Sequence, residues 1–322
     1  VKALVATRYG EPEQLSFADL DLPRPGPGQI QVKIAAAAIN PTDIRVITGA
    51  YRGTAELEFP YVPGNEFAGT VTEVGAGVTD YQVGDEVFGQ ALPRQLRLVV
   101  AARRPSLSTG ALAEYAVFEA STPLLAHRPA AVPVEQAAAL PIAGMTALGV
   151  MTLAAIRPGE TAFVIGATGG VGTALVPLLA AAGARVVATG AATDHTVLRE
   201  LGADEVLGYD AAGYPSGVDA VFDLVLPHDR LSAAAAALRP GGRLVTIIYP
   251  EPAKELLGRD DVDLRYFMDM DGEIGGMREV AEAAERGVLS VRIARRYRFE
   301  DAVEAAVTYA REHNLGKVVV TM

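Results

Sequence analysis

A glycine run between two apolar stretches is the first place where residue type and spacing in this chain suggest chemistry. In "AFVIGATGGVGTALVPLLAAAGARVVATG", residues 162–190, an apolar strand runs into Gly166-Ala-Thr-Gly169-Gly170-Val-Gly172, which opens a helix. Glycines let backbone amides approach a pyrophosphate, and a helix N-terminus adds partial positive charge. A second strand follows at the distance of a βαβ unit, so the run has the context that a dinucleotide fingerprint requires on both sides. A site for NAD usually ends that second strand in Asp or Glu, which accepts from the ribose hydroxyl. Here the end is Thr189-Gly190, so NADPH is favoured over NADH. No Arg or Lys follows at once. Thr193-Asp194-His195 does, and Asp194 reads as a helix N-cap rather than a ribose ligand.

A second constellation lies in "VPGNEFAGTVTEVGAGV", residues 62–78, where a glycine hinge presents Asn65 and Glu66 before an alternating strand. Tetrahedral catalytic zinc needs three protein ligands from Cys, His, Asp or Glu, plus an open position. The chain has no cysteine, and its four histidines, at 127, 195, 228 and 313, are scattered. No such set can be assembled from them, and no metal site is expected. Without a Lewis acid, alcohol oxidation lacks the group that stabilises an alkoxide. Hydride transfer to an electron-poor acceptor, such as a quinone or conjugated enone, does not need one.

The elements that must position these residues fall into three stretches. The 322 residues suffice for two domains. Up to about residue 118, short strands alternate with turns, "PRPGPG" setting one tight loop, and this part reads as a β-rich, barrel-like domain. From 119 to 283 the pattern changes. A long helix over 135–155 leads in, followed by strands at 161–166, 185–189, 205–209, 218–225 and 243–248. Helices are predicted at 171–182, 195–201 and 231–238, and a last strand near 262–268. Such alternation predicts a doubly wound parallel sheet. The remainder carries a strand near 291–297, a helix near 300–312 and "LGKVVVTM", a strand expected to return to the first domain. The expected domains are thus 1–118 with 284–322, and 119–283. The net charge of −11 argues against nonspecific nucleic-acid binding. No apolar run is expected to reach the roughly 18–20 residues of a membrane helix. No secretory signal is expected before the first strand, and the expected setting is the cytoplasm.

Several stretches in fixed order carry a family resemblance: "AAAINPTDIRVITGAY" (36–51), "VPGNEFAGTVTEVGAGV", "VGDEVFG" (83–89), "GALAEYAVF" (110–118), "AAALPIAGMTAL" (137–148), "GATGGVG", "LGADEVLGY" (201–209), "LRPGGRLV" and "LGKVVV". Over essentially the whole chain, it resembles the zinc-free quinone oxidoreductase (zeta-crystallin-like) branch of the medium-chain dehydrogenase/reductase superfamily. The resemblance implies an α/β fold, with a GroES-like β-rich catalytic domain beside a Rossmann domain and an active site in the cleft between them. It implies NADPH as cofactor. It places Asn40 and Tyr51 on the wall facing the nicotinamide and Thr146 against the cofactor. Gly166, Gly169, Gly170 and Val171 would cradle the pyrophosphate. Thr189, Gly190 and Tyr209 would surround the adenosine ribose and its phosphate, with His195 in the region where the lysine expected to hold that phosphate is replaced. Leu226 and Ile248 would border the cofactor.

In the zinc alcohol dehydrogenases of that superfamily a histidine stands where Asn65 stands here. Two further departures concern substrate. Arg45 occupies a place where such quinone reductases tend to carry an aromatic residue, and the stretch 91–109, with Arg94, Arg97, Arg103 and Arg104, is longer than the usual loop. Tyr51 is read either as a proton donor to the developing enolate or as an aromatic lining residue. Asn40 is read as a positioning residue. Arg45 is read either as the holder of an acidic substrate or as a solvated helix-face arginine. The implied function is NADPH-dependent reduction of a quinone or an α,β-unsaturated carbonyl. A trans-acting enoyl reductase of polyketide assembly and a non-catalytic, crystallin-like NADPH-binding protein stay open beside it. Relatives commonly dimerise through the last Rossmann strands, here "DVDLRYFMDMDG" (261–272), so a homodimer is expected.

Overall fold

Alternation in the first third and alanine-rich periodicity in the second become, in chain order, the following elements of the computed structural model, which describes residues 1–99 and 102–322. The strands and helices are β1 Lys2–Val5, β2 Ser16–Asp19, β3 Gln29–Ile39, α1 Pro41–Ile47, β4 Glu66–Val74, β5 Glu86–Gln90, β6 Leu92–Pro93, β7 Leu107–Ser108, β8 Tyr115–Glu119, β9 Leu125–His127, α2 Val134–Ala154, β10 Thr161–Ile165, α3 Gly170–Ala181 and β11 Arg185–Thr189. They continue with α4 His195–Glu200, β12 Glu205–Leu207, β13 Val218–Asp223, α5 Leu231–Ala236, β14 Leu238–Thr246, β15 Asp263–Tyr266, α6 Met277–Glu285, β16 Ile293–Arg298, α7 Ala302–Arg311 and β17 Lys317–Thr321. They form two units, Val1–Ile142 with Met270–Gly287 and Ile293–Met322, and Ala143–Asp269 with Val288–Arg292. The first crossing therefore falls inside α2, later than residue 119. The reason is that β9 still pairs with β5, which keeps its flanks with the β-rich unit.

In the β-rich unit, β3 is long enough to serve three partners. Gln29–Lys33 pair with β8, and Ala36–Ile39 pair with β17 further along the same edge. Along its other edge β3 pairs with β4. The C-terminal strand thus does return to this unit. Apolar side chains alternate inward from β3, β4 and β8, and Phe67 stacks on Phe118 at 3.8 Å between ring centroids. The stretch 91–109 is not a plain loop. It contains β6, a 3₁₀ turn at Arg94–Val99 with Leu96 buried, and β7. Residues 100 and 101 of that stretch lie outside the described residues. Arg103 pairs with Asp271 and Glu273.

The second unit holds a six-stranded parallel sheet in the order β12-β11-β10-β13-β14-β15. This is a doubly wound sheet whose order reverses between β10 and β13. β14 begins at Leu238 rather than 243 because Leu238 already pairs with Val218 of β13; the register then shifts across Pro240-Gly241-Gly242, where Gly241 sits at φ 72°. The helix α2 overturns one expectation. At 21 residues it is long and apolar enough to cross a membrane, yet 67% of its apolar window is buried inside the protein, which makes it a core helix. It ends at Ala155, a left-handed position (φ 48°) without the usual glycine. Arg243 offsets that strain. It donates to the carbonyls of Ala154 and Ala155 and pairs with Glu160.

Candidate functional site

The carboxyl ends of four adjacent strands meet around the glycine run in the second unit. Gly166, just past β10, sits at φ 90° and donates its N–H to the Thr189 hydroxyl at the end of β11. A Cβ on Gly172 would lie 2.5 Å from the Ala167 backbone, so α3 can approach the strand only with glycine there. At Gly169 a Cβ would meet only the Gly166 carbonyl, at 3.5 Å, and the residue is exposed. The cradle above the α3 N-terminus is therefore open, lined by Gly169 and the half-buried Gly170 and Val171. This arrangement fits a dinucleotide pyrophosphate.

On the far side of the switch point, Asp223 ends β13 fully buried. Its Oδ1 accepts from the N–H groups of Val225 (3.2 Å) and Leu226 (2.8 Å), and its Oδ2 accepts from the Thr246 hydroxyl (2.7 Å). Burial pushes its pKa up, against those hydrogen bonds. Nothing in the sequence singled out Asp223 and Thr246. They shape the turns that carry Leu226 and Ile248, both half-buried at strand ends. Beyond β11, Asp194 turns inward. It is buried, and its carboxylate accepts from the Ala191 N–H rather than pointing to solvent. His195 opens α4 half-buried, and Tyr209 is exposed past β12. Thr146 lies half-buried on α2.

A second constellation lies in the β-rich unit, where sheet register assembles a buried polar cluster. Val318 pairs with Ile39, which sets Lys317 opposite Asn40, and Glu66 opens the neighbouring β4. Lys317 Nζ donates to Asn40 Oδ1 (2.5 Å) and forms an ion pair with Glu66 Oε1. Asn40 Nδ2 donates to Glu66 Oε1 (2.8 Å) and Asn65 Oδ1 (3.0 Å). The second carboxylate oxygen of Glu66 accepts from the Ile142 N–H (2.9 Å), one residue past the proline inside α2. Glu66 thus holds both a lysine and a backbone N–H. Asp43 closes the cluster, accepting from Asn40 N (2.8 Å) and Gly64 N (3.0 Å). Its position three residues after Asn40 is the one signal sequence offers, a capping box on α1. Arg45, exposed in the last turn of α1, lies over the half-buried Tyr51 ring, 5.7 Å from its centroid.

Two buried carboxyl groups share this one ammonium. Burial pushes Glu66 up, opposed chiefly by Lys317. Burial also pushes Asp43 up to about 7, against the two backbone N–H bonds, with Glu66 adding repulsion and Lys317 relief. A raised folded pKa means the folded state keeps a proton that the unfolded chain has lost between about pH 4 and 7. Stability should therefore fall as pH rises through that window, by up to about 1.4 kcal/mol per pH unit from this group. Denaturant unfolding at intervals across that window should show a steeper decline for the parent than for Asp43→Asn. Parallel profiles would mean that Asp43 ionises normally.

Two family matches cover parts of both units, the second of them running across the two. Residues 26–129 match the alcohol dehydrogenase GroES-like domain, and 201–320 match the zinc-binding dehydrogenase family. The chain is 38% identical over 180 residues to a chloroplast envelope quinone oxidoreductase homolog of Arabidopsis thaliana, covering 54% of this chain and 50% of that protein. It is 33% identical over 217 residues to an NADPH-dependent alkenal/one oxidoreductase of the same plant, covering 66% and 53%. The chain thus spans about half the length of these curated relatives. A mycobacterial protein solved in complex with NADPH superposes with a TM-score of 0.84 at 28% identity, over 100% of this chain and 99% of that one.

The second family match implies zinc, which the residues present do not fit. Asn65 offers a neutral amide, Glu66 is already bound to an ammonium ion, and the chain has no thiolate to offer. Among the described residues, no three His, Asp or Glu side chains converge. A divalent cation placed here would have to displace Lys317.

Proposed function

Because the chain belongs to the zinc-free quinone oxidoreductase branch of the medium-chain dehydrogenase/reductase superfamily, we propose that it reduces a quinone or an α,β-unsaturated carbonyl with NADPH. The observation that carries this reading is the open glycine cradle at the reversal point of the parallel sheet. NADPH, when bound, supplies the hydride. The α3 N-terminus, with Gly169, Gly170 and Val171, holds the pyrophosphate. No carboxylate faces outward at the end of β11, since Asp194 is turned inward, and this favours a 2′-phosphate. Thr189 acts through Gly166, whose N–H it fixes. His195 and Tyr209 are the side chains nearest in sequence that can meet the adenosine phosphate, and Thr146, Gly190, Leu226 and Ile248 complete the cofactor's surroundings.

The acceptor takes hydride at a conjugated carbon, and its proton comes from water or the Tyr51 phenol. Asn40 is a positioning residue, since both its N–H groups and its oxygen are engaged within the protein. Arg45, stacked over Tyr51, is assigned to an acidic substrate. The outer edge of β15, which among the described residues pairs only with β14, supports a homodimer, and a cytoplasmic setting fits the net charge of −11.

The test is one panel: NADPH and NADH against a neutral quinone, a neutral enone and an acidic enone, before and after dialysis against a chelator. Turnover should be faster with NADPH and indifferent to the chelator. Arg45→Ala should raise KM for the acidic enone about tenfold, the scale of one charge-assisted contact, and leave the quinone unchanged. Absence of turnover with every acceptor would refute the reading.

A further inference from the structure

In the buried cluster of the β-rich unit, charge alone fixes which way each amide points. An ammonium group only donates, and a carboxylate only accepts. Asn40 lies between the two, so its oxygen must face Lys317 and its NH₂ must face Glu66, as the contacts at 2.5 and 2.8 Å show. A flipped amide would set NH₂ against NH₃⁺ and C=O against a carboxylate. The second N–H of Asn40 then points at Asn65, which can answer only with its oxygen, at 3.0 Å. The Asn65 amide is thereby oriented as well, oxygen inward and nitrogen outward. Its backbone is pinned on both sides: Ala91 N donates to the Asn65 carbonyl, and Gly64 N donates to Asp43.

The residue is only 4% exposed, yet among the described residues nothing accepts from its Nδ2, and that atom is not sealed from solvent. A buried amide whose one open N–H pair is aimed outward by a chain of charge-determined hydrogen bonds is a preorganised donor.

We propose that Asn65 Nδ2 donates to the carbonyl oxygen of the substrate and holds the negative charge that develops there. This inference rests on the reductase reading above. When hydride adds its electron pair to the β-carbon of an enone, the C=C pair shifts toward the carbonyl, and the charge comes to rest on oxygen as an enolate. Asn65 stabilises that oxygen by a hydrogen bond and gives up no proton. The proton that completes the reduction adds to the α-carbon from water, leaving the saturated ketone and the oxidised cofactor. A neutral amide suits the task because it stays a donor at every working pH. Lys317 contributes as a positioning residue, since its charge polarises the chain of hydrogen bonds through Asn40 toward Asn65.

The test compares the parent with Asn65→Ala and Asn65→Asp in two assays. In the first, 4-nitrophenolate, whose oxygen carries the charge of an enolate, is titrated into protein saturated with NADP⁺ and followed by its absorbance shift. The parent should bind it, Asn65→Ala at least tenfold more weakly, and Asn65→Asp more weakly still, because an acceptor replaces the donor. In the second, kcat with a neutral enone should fall about 100-fold in Asn65→Ala, the usual loss for one oxyanion donor, while NADPH affinity holds and Tm falls only by the few degrees that one stranded Asn40 N–H costs. Equal phenolate affinity in all three proteins, or none in the parent, would overturn the inference, as would full enone turnover in Asn65→Ala. Loss of NADPH affinity along with turnover would also overturn it by showing a structural role. If the parent reduces no acceptor while the phenolate order holds, the reductase reading fails and the anion-binding role of Asn65 stands.

Discussion

Lys317→Met should cost the fold about 3–5 kcal/mol, the usual penalty for stripping one partner from a buried ion pair. Methionine matches the stem of lysine, so little packing is lost. What is lost is the ammonium that serves Glu66 and the Asn40 oxygen together. Glu66 is fully buried and Lys317 nearly so, so water cannot replace the missing donor. Against a typical stability of roughly 5–15 kcal/mol this is a large fraction. It should lower Tm by on the order of 10 °C. Adding Glu66→Gln removes the stranded charge, and the double variant should recover at least half of the loss. A single variant within about 1 kcal/mol of the parent would mean the cluster is wetter than its burial indicates. Absence of recovery would mean that Lys317 acts through packing instead.

Gly170→Asp should abolish NADPH binding and leave the fold intact. The residue is the first of α3, where a carboxylate suits the helix dipole, so Tm should hold or rise slightly. The same carboxylate takes the positive end of the helix for itself and stands where the pyrophosphate is held. At about 4 Å and an effective dielectric of 20, two like charges repel by about 4 kcal/mol. Even half of that, about 2 kcal/mol, weakens affinity by more than tenfold, and the full value by about 1000-fold. Calorimetric titration beside a melting curve separates the two effects. Affinity within threefold of the parent would place the dinucleotide elsewhere. A parallel loss of Tm would show that Gly170 is needed for folding.

How much of this could be read in advance depended on the range of each interaction. The glycine run, its flanking strands and the parallel alternation are local patterns, and β10, α3 and β11 fall within a residue of where periodicity puts them. The absence of cysteine rules out thiolate ligands from residue types alone, whereas the engagement of Glu66 by Lys317 does not show in the sequence. The Lys317 contact does not, because its partners lie 277 residues away along the chain for Asn40 and further apart in sequence than any pattern reaches. Only the pairing of Val318 with Ile39, a product of the whole sheet, brings them together. Asn65 stood out as a departure from a ligand, yet its own use emerges only after Lys317 has oriented Asn40. Likewise Asn40 stood out in the sequence, but that its amide is fully engaged inside the protein did not. The length and place of α2 were legible, but its apolar character was not: no charged side chain follows Glu135, and the helix continues through Pro141. The Ile142 N–H beyond that proline goes to Glu66.

In the reaction proposed for this chain, hydride passes directly from a nicotinamide to a conjugated carbon. The most direct measurement uses NADPH deuterated on C4 with an α,β-unsaturated ketone, and locates the label in the product by NMR. One deuterium on the β-carbon is expected, with solvent hydrogen on the α-carbon. A product without label at the β-carbon, or label on the carbonyl carbon of an alcohol, would contradict it.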